Sequence, residues 1–274
     1  MYINRSITYA ENYFSVSSLE SLHPVVFYDK DSSDDYSASL RDDMKAWYGD
    51  KIITYVPYSS KNSSPASWQK PVQDNVKPAV NRLVYFAGYE NDGEEVLKAL
   101  HELYSKPEFQ NVKHLFLGGD TLYQLHYYNG NDQYPSDADG LLNFTAMVYP
   151  DKLNSKDPFT TDYTADFGGN NPNSHKSPSG VPYGYIRADQ DVILSYDGLS
   201  LIVRGAKNMH KNGNLSLTAQ LRAALAAFDA SHPFPGESGP IYFLGSGDNQ
   251  GGQVLIICVN RNGDGGVCYP PSAV

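Results

Sequence analysis

A chain of 274 residues with 41% hydrophobic content carries enough apolar side chain for one large or two modest packed domains, which excludes an intrinsically disordered protein. A formal net charge of -10, with no cluster of Lys and Arg, excludes a phosphate-backbone partner and disfavours anionic membranes. Charged residues are only 19% of the total, Tyr alone contributes 22, and the loops are dense in Asn, Ser, Gly and Pro, a weakly charged polar surface that suits an exported protein.

In chain order, residues 24–28 form an apolar run suited to a buried strand. Leu40, Met44 and Trp47 then recur at helical spacing, and a second strand is expected at 52–56. The polar stretch 59–67 reads as loop. A third strand at 83–87 precedes a helix at 93–104 whose Val96, Leu97, Leu100 and Leu103 share one face. A fourth strand at 112–117 closes on Gly118-Gly119. Strands alternating with amphipathic helices predict a parallel sheet covered on both sides. Beyond residue 150 a short helix is expected at 157–167 and an irregular loop at 168–184. Two helices follow. The first, at 189–209, would place Val192, Ile193, Tyr196, Leu199, Ile202 and Val203 on its inner face; the second, at 217–230, has Ser216 as N-cap. Strands at 241–244 and 253–259, joined by a Gly-rich turn at 245–252, end the pattern. No run reaches the roughly 18 apolar residues of a membrane span. The first twenty residues lack the basic start and apolar core of a signal peptide, so the chain is expected either to be cytoplasmic or to have lost a leader.

Enzyme signatures are missing: there is no His-Glu-x-x-His, Cys-x-x-Cys, Walker loop or Gly-x-Ser-x-Gly. Gly236-Glu-Ser-Gly239 is too short for a nucleophile elbow. The run of acids from Asp29 to Asp35 lacks the glycine and closing Glu of a calcium loop, so a solvated loop is the better reading. The seven histidines are scattered, and no metal site is expected. Cys258 and Cys268 flank a turn-rich stretch and could form a disulfide in an exported chain; two unpaired thiols fit the spacing equally well.

Polar and aromatic residues do gather just after the predicted strands, where open α/β sheets bind ligands. Tyr36 and Ser37 follow the first strand, Gly88 and Tyr89 the third, and Asp120 the fourth. Such a rim offers Tyr faces for packing, helix N-termini for a carboxylate and Asp120 as counter-charge for an ammonium group. The competing reading has Tyr36 and Tyr89 covering the sheet edge and Asp120 capping a helix that starts at Thr121.

These same segments, Tyr28-Asp-Lys30 with Tyr36-Ser37, Leu83-Val-Tyr-Phe-Ala-Gly-Tyr-Glu90 and Phe116-Leu-Gly-Gly-Asp120, resemble the second lobe of the leucine/isoleucine/valine-binding proteins of branched-chain amino-acid ABC importers. Leu194-Ser-Tyr-Asp-Gly198 and Ser238-Gly-Pro-Ile-Tyr-Phe243 with Gly247-Asp248 are similar to later segments of that family, so the resemblance spans roughly residues 22–262. It implies an α/β, type I periplasmic-binding fold, Rossmann-like, with a mostly parallel sheet flanked by helices and the first lobe largely missing. It further implies that Tyr36, Tyr89 and Asp120 touch an amino acid, with Asp120 one methylene shorter than the family's usual Glu.

The expected organisation is a lead-in at 1–21, the ligand-binding lobe at 22–168, an irregular loop at 169–184, a helical pair at 185–235 that resembles segments returning to the first lobe, and closing strands at 236–274. The expected role is non-catalytic binding of a small polar ligand, without cofactor, as part of an ABC-importer solute-binding protein. Its partners would be a membrane permease and either a second chain or a missing N-terminal lobe. An extracellular or periplasmic location, tethered to the membrane through a segment outside this chain, goes with that role. The alternative is a ligand-sensing module of a receptor or regulatory protein; an α/β hydrolase is a third reading, with no nucleophile–base pair to nominate.

Overall fold

Short segments rich in β-branched and aromatic residues supply the strands of the computed structural model, which describes residues 2–31, 36–49, 52–62, 65–78, 80, 82–124, 140–148, 158–166, 190–209, 215–245, 254–261 and 265–269. The strands are β1 (Val25–Asp29), β2 (Thr54–Tyr58), β3 (Leu83–Ala87), β4 (Leu115–Gly118), β5 (Asn143–Ala146), β6 (Phe234–Gly236), β7 (Gly239–Ile241), β8 (Leu255–Val259) and β9 (Gly265–Tyr269). Seven of them form one sheet in the order β2-β1-β3-β4-β5-β8-β9; β6 and β7 form a separate hairpin. The first five strands run parallel, and β8 and β9 close the far edge antiparallel. Every residue of β3, β4 and β5 is buried, as expected of a parallel sheet covered on both faces.

The helices are α1 (Tyr2–Phe14), α2 (Tyr36–Tyr48), α3 (Pro65–Asn75), α4 (Glu90–Tyr104), α5 (Pro158–Asp166), α6 (Gln190–Asn208) and α7 (Leu217–Ala226). The period-two alternation of the strands decides which helix meets which face. Val26, Leu83, Tyr85, Leu117 and Ile256 point to one side, where Ile3, Ile7 and Ala10 of α1 and Leu40 and Met44 of α2 cover them. Phe27 and Phe86 point to the other side. There Trp68 of α3 packs edge-on against both, at ring distances of 5.9 and 6.3 Å, and α4 buries Val96, Leu97, Leu100 and Leu103.

Two compact units result: Met1–Ala146 with Val254–Val274, and Met147–Gln253. The first holds the seven-stranded sheet. The second holds α5, α6, α7 and the β6–β7 hairpin around a small cluster of Val148, Phe159, Tyr163 and Ile193. The expected organisation shifts in three places. The lobe expected at 22–168 ends at Ala146, because the residues from Met147 on group with the second unit. Residues 1–21 are no lead-in, because α1 inserts its apolar face into the core of the sheet unit. The strand expected at 241–244 is displaced to Gly239–Ile241, where it pairs with Phe234–Gly236 in the second unit instead of joining the sheet.

Helix α6 differs more sharply from its expected orientation. Its buried residues are Gln190, Ile193, Asp197, Leu201 and Gly205, whereas Tyr196, Leu199, Ile202 and Val203 are exposed by 43, 64, 49 and 44%. Hydrogen bonds and close approach decide this rotation. Asp197 is drawn inward by the amides of Glu237 and Ser238 in the β6–β7 turn, at 2.7 and 2.8 Å, and by the Ser238 hydroxyl at 2.6 Å. Gly205 admits the α7 side chain Leu225, whose Cδ2 would lie 2.7 Å from any Cβ there. Trp47, expected to follow Leu40 and Met44 inward, is 58% exposed in the last turn of α2. The loop expected at 59–67 gives way to the first turn of α3 at Pro65, a residue whose missing N–H costs nothing at a helix start.

Candidate functional site

Outgoing connections from β1 and β3 leave in opposite directions along the sheet, to β2 on one side and β4 on the other. A crevice opens beyond the carboxyl ends of the strands at such a reversal, and that is where open α/β sheets place ligands. Tyr36 starts the helix after β1, Gly88 and Tyr89 lead from β3 into α4, and Asp120 follows β4. The structure brings three of these side chains together. The Tyr36 hydroxyl donates to Asp120 Oδ1 at 2.7 Å, and the rings of Tyr36 and Tyr89 pack 5.4 Å apart at 37°. All three are partly exposed. Burial first, and the Asp120 carboxylate next, push the Tyr36 phenol far above its ordinary pKa, so it stays a proton donor to Asp120 at any physiological pH. Among the described residues the hydrogen bond to the Asp120 carboxylate is the one that Tyr36 makes to Oδ1.

The other two nominated residues build the floor. Ser37 is fully buried; its hydroxyl donates to the Ala87 carbonyl and accepts from the Asp29 amide at 2.8 Å, stitching the ends of β1 and β3 together. Gly88 is also buried, and its carbonyl accepts from the Thr121 hydroxyl at 2.7 Å. A Cβ at Gly88 would overlap the Tyr58 hydroxyl and the Phe86 ring.

Asp29 is engaged by its own loop and by the turn after β2: Oδ1 accepts from the amides of Asp31 and Ser60, and Oδ2 from the Ser60 hydroxyl at 2.6 Å. Residues 32–35 of the acidic run lie outside the described residues. Asp120 caps no α-helix, since a 3-10 turn at Asp120–Gln124 follows β4 directly. Gly119 belongs to the Gly118-Gly119-Asp120 turn that the sequence places on the rim, but its own role shows only in the structure, where any side chain would meet Tyr36. Among the described residues no group of three or more His, Cys, Asp or Glu could hold a metal ion. Away from the rim, Cys258 and Cys268 are joined in a disulfide across β8 and β9, with Cα atoms 5.8 Å apart and the Tyr9 hydroxyl 3.2 Å from Cys258 Sγ.

A mostly parallel sheet with this strand order and an antiparallel far edge has the fold of the type I periplasmic binding proteins. Solved structures of that class superpose on nearly the whole chain. The branched-chain amino-acid transporter substrate-binding protein LivJ from Streptococcus pneumoniae, in complex with isoleucine, does so with a TM-score of 0.63 at 13% identity, covering 97% of this chain and 64% of its own. The leucine-binding protein LivK from Thermotoga maritima gives 0.62 at 16% identity, covering 97% and 65%. A putative branched-chain amino-acid ABC transporter protein from Rhodospirillum rubrum gives 0.56 at 14%, again covering 97% and 65%. The chain thus spans less than two thirds of the length of each of these structures. No family model matches the sequence, and no curated protein matches it.

Proposed function

We propose that the Tyr36–Asp120–Tyr89 rim grips the ammonium end of a small polar ligand of amino-acid type, without chemical conversion, in an ABC-importer solute-binding protein. The observation that carries this reading is the 2.7 Å bond from the Tyr36 hydroxyl to Asp120 Oδ1, beside the Tyr89 ring and at the sheet's reversal point. The bond orients the carboxylate and leaves its second oxygen for an ammonium donor, while two aromatic faces stabilise the positive charge. The substrate-binding proteins it resembles in fold, one of them in complex with isoleucine, supply the ligand class. The remaining contacts to the ligand, a permease partner and a membrane tether at the outer cell surface belong to this same reading.

The test is a thermal-shift and calorimetric screen of the twenty L-amino acids. At least one should raise the melting temperature with a saturable dose dependence. Asp120→Ala should weaken that binding about tenfold or more, the ~1.5 kcal/mol of a charge-assisted hydrogen bond, and Tyr89→Ala should weaken it less. Binding that is indifferent to Asp120→Ala would remove the rim from the site, and no response to any amino acid would reject the ligand class.

A further inference from the structure

The end of β4 carries a constraint that the ligand reading does not use. Gly119 is buried, and a Cβ built on it would overlap the Tyr36 hydroxyl, lie 3.2 Å from Tyr36 Cζ and come within 3.0 Å of Leu40 Cδ1. All of these neighbours belong to α2, the helix that starts with Tyr36. The bare Cα of Gly119 is therefore the seat of the Tyr36 hydroxyl, and the next residue in the chain is the Asp120 that receives its proton.

We infer that Gly119 is a positioning residue for the rim: the space left by its missing side chain lets Tyr36 reach Asp120 and fixes which carboxylate oxygen faces the crevice. The smallest side chain at 119 lifts the phenol away from Asp120. The carboxylate, freed from its donor, then rotates, and both oxygens become solvated. The inference rests on the proposed ligand reading only for the consequence in binding; the steric coupling between residues 119 and 36 stands on its own.

A four-way comparison of the wild type, Gly119→Ala, Tyr36→Phe and Gly119→Ala/Tyr36→Phe tests it. Gly119→Ala should lower the melting temperature by at least about 3 °C. Removal of the hydroxyl takes away the closest of the overlaps, so in the Tyr36→Phe background the same glycine change should cost less than half as much. If Gly119→Ala alone cannot be recovered folded, recovery of the double variant supports the inference, and failure of both overturns it. Equal losses in the two backgrounds also overturn it, because the clash would then lie with Leu40 or the backbone. With an amino acid that the wild type binds, Gly119→Ala should lose affinity as Asp120→Ala does. A wild type that binds none of them rejects the ligand reading and leaves the stability cycle to judge Gly119 alone.

Discussion

His114, at the entrance to β4, is half-buried in an aromatic nest that has no use for its charge. Its ring stacks on Tyr104 at 4.1 Å and 14°, and Phe109 lies 5.6 Å away. Burial is the largest influence and lowers its pKa below the ordinary value of 6.5; a hydrogen bond with the Phe109 backbone opposes it, and the nearby Arg82 guanidinium adds a smaller push downward. In the unfolded chain the imidazole takes up its proton more readily than in the fold. Stability from the neutral ring is therefore fully present above about pH 6.5 and is lost as pH falls from there toward the folded-state value. His114→Phe keeps the stack and removes the titration, so its melting temperature should fall less than that of the wild type between pH 7 and pH 5. A parallel decline in both proteins would assign the acid sensitivity to other groups.

At the level of single elements, Asp197 shows how one polar side chain can orient a whole helix. Three hydrogen bonds from the β6–β7 turn converge on its carboxylate, and Gly236 stands so close that a Cβ there would lie 2.7 Å from Asp197 Oδ2. Asp197→Ala leaves two partly buried amides and a hydroxyl without an acceptor and should cost about 3 kcal/mol, read as the loss in chemical denaturation of the second unit. Asp197→Asn, which keeps an acceptor oxygen, should cost less; equal losses would argue that volume and not hydrogen bonding holds the turn. The same residue explains why α6 was misjudged from sequence. Its aliphatic residues outnumber its polar ones on one side, and a periodicity argument puts the apolar side inward, but the partner of Asp197 lies 40 residues away and leaves no local trace. Strands β1, β3 and β4 were legible because burial on both faces writes continuous apolar runs, and helix α4 because Val96, Leu97, Leu100 and Leu103 recur at helical spacing. Strand β5, only four residues with Asn and Thr among them, and α3, with Pro71 inside it, carry no such run. The rim was legible for a different reason: once strands are placed, the residues after their carboxyl ends must share one end of a parallel sheet. That Ser37 turns inward while Tyr36 stays at the crevice depends on helix rotation, which the strand pattern does not specify.

Across the whole molecule the apolar surface is unevenly spent. In the sheet unit, aromatic and aliphatic side chains from four helices and six strands are buried, among them Phe27, Trp68, Tyr85, Phe86 and Phe116. Among the described residues the second unit encloses few large side chains, while Tyr196, Leu199, Ile202 and Val203 of α6, together with Leu215 and Leu217, stand exposed; α7 buries no residue completely. Local opening costs least where few buried contacts must be broken, so slow amide exchange should concentrate in β1, β3, β4 and β8 and be largely absent from α6 and α7. The exposed residues should also bind a hydrophobic dye such as ANS. Leu199→Glu combined with Ile202→Glu should reduce that dye signal without lowering the melting temperature, because neither side chain is buried among the described residues. A clear fall in stability on making those changes would mean that α6 presents its aliphatic side to protein rather than to water. The small core of the second unit would then be larger than the enclosed side chains indicate.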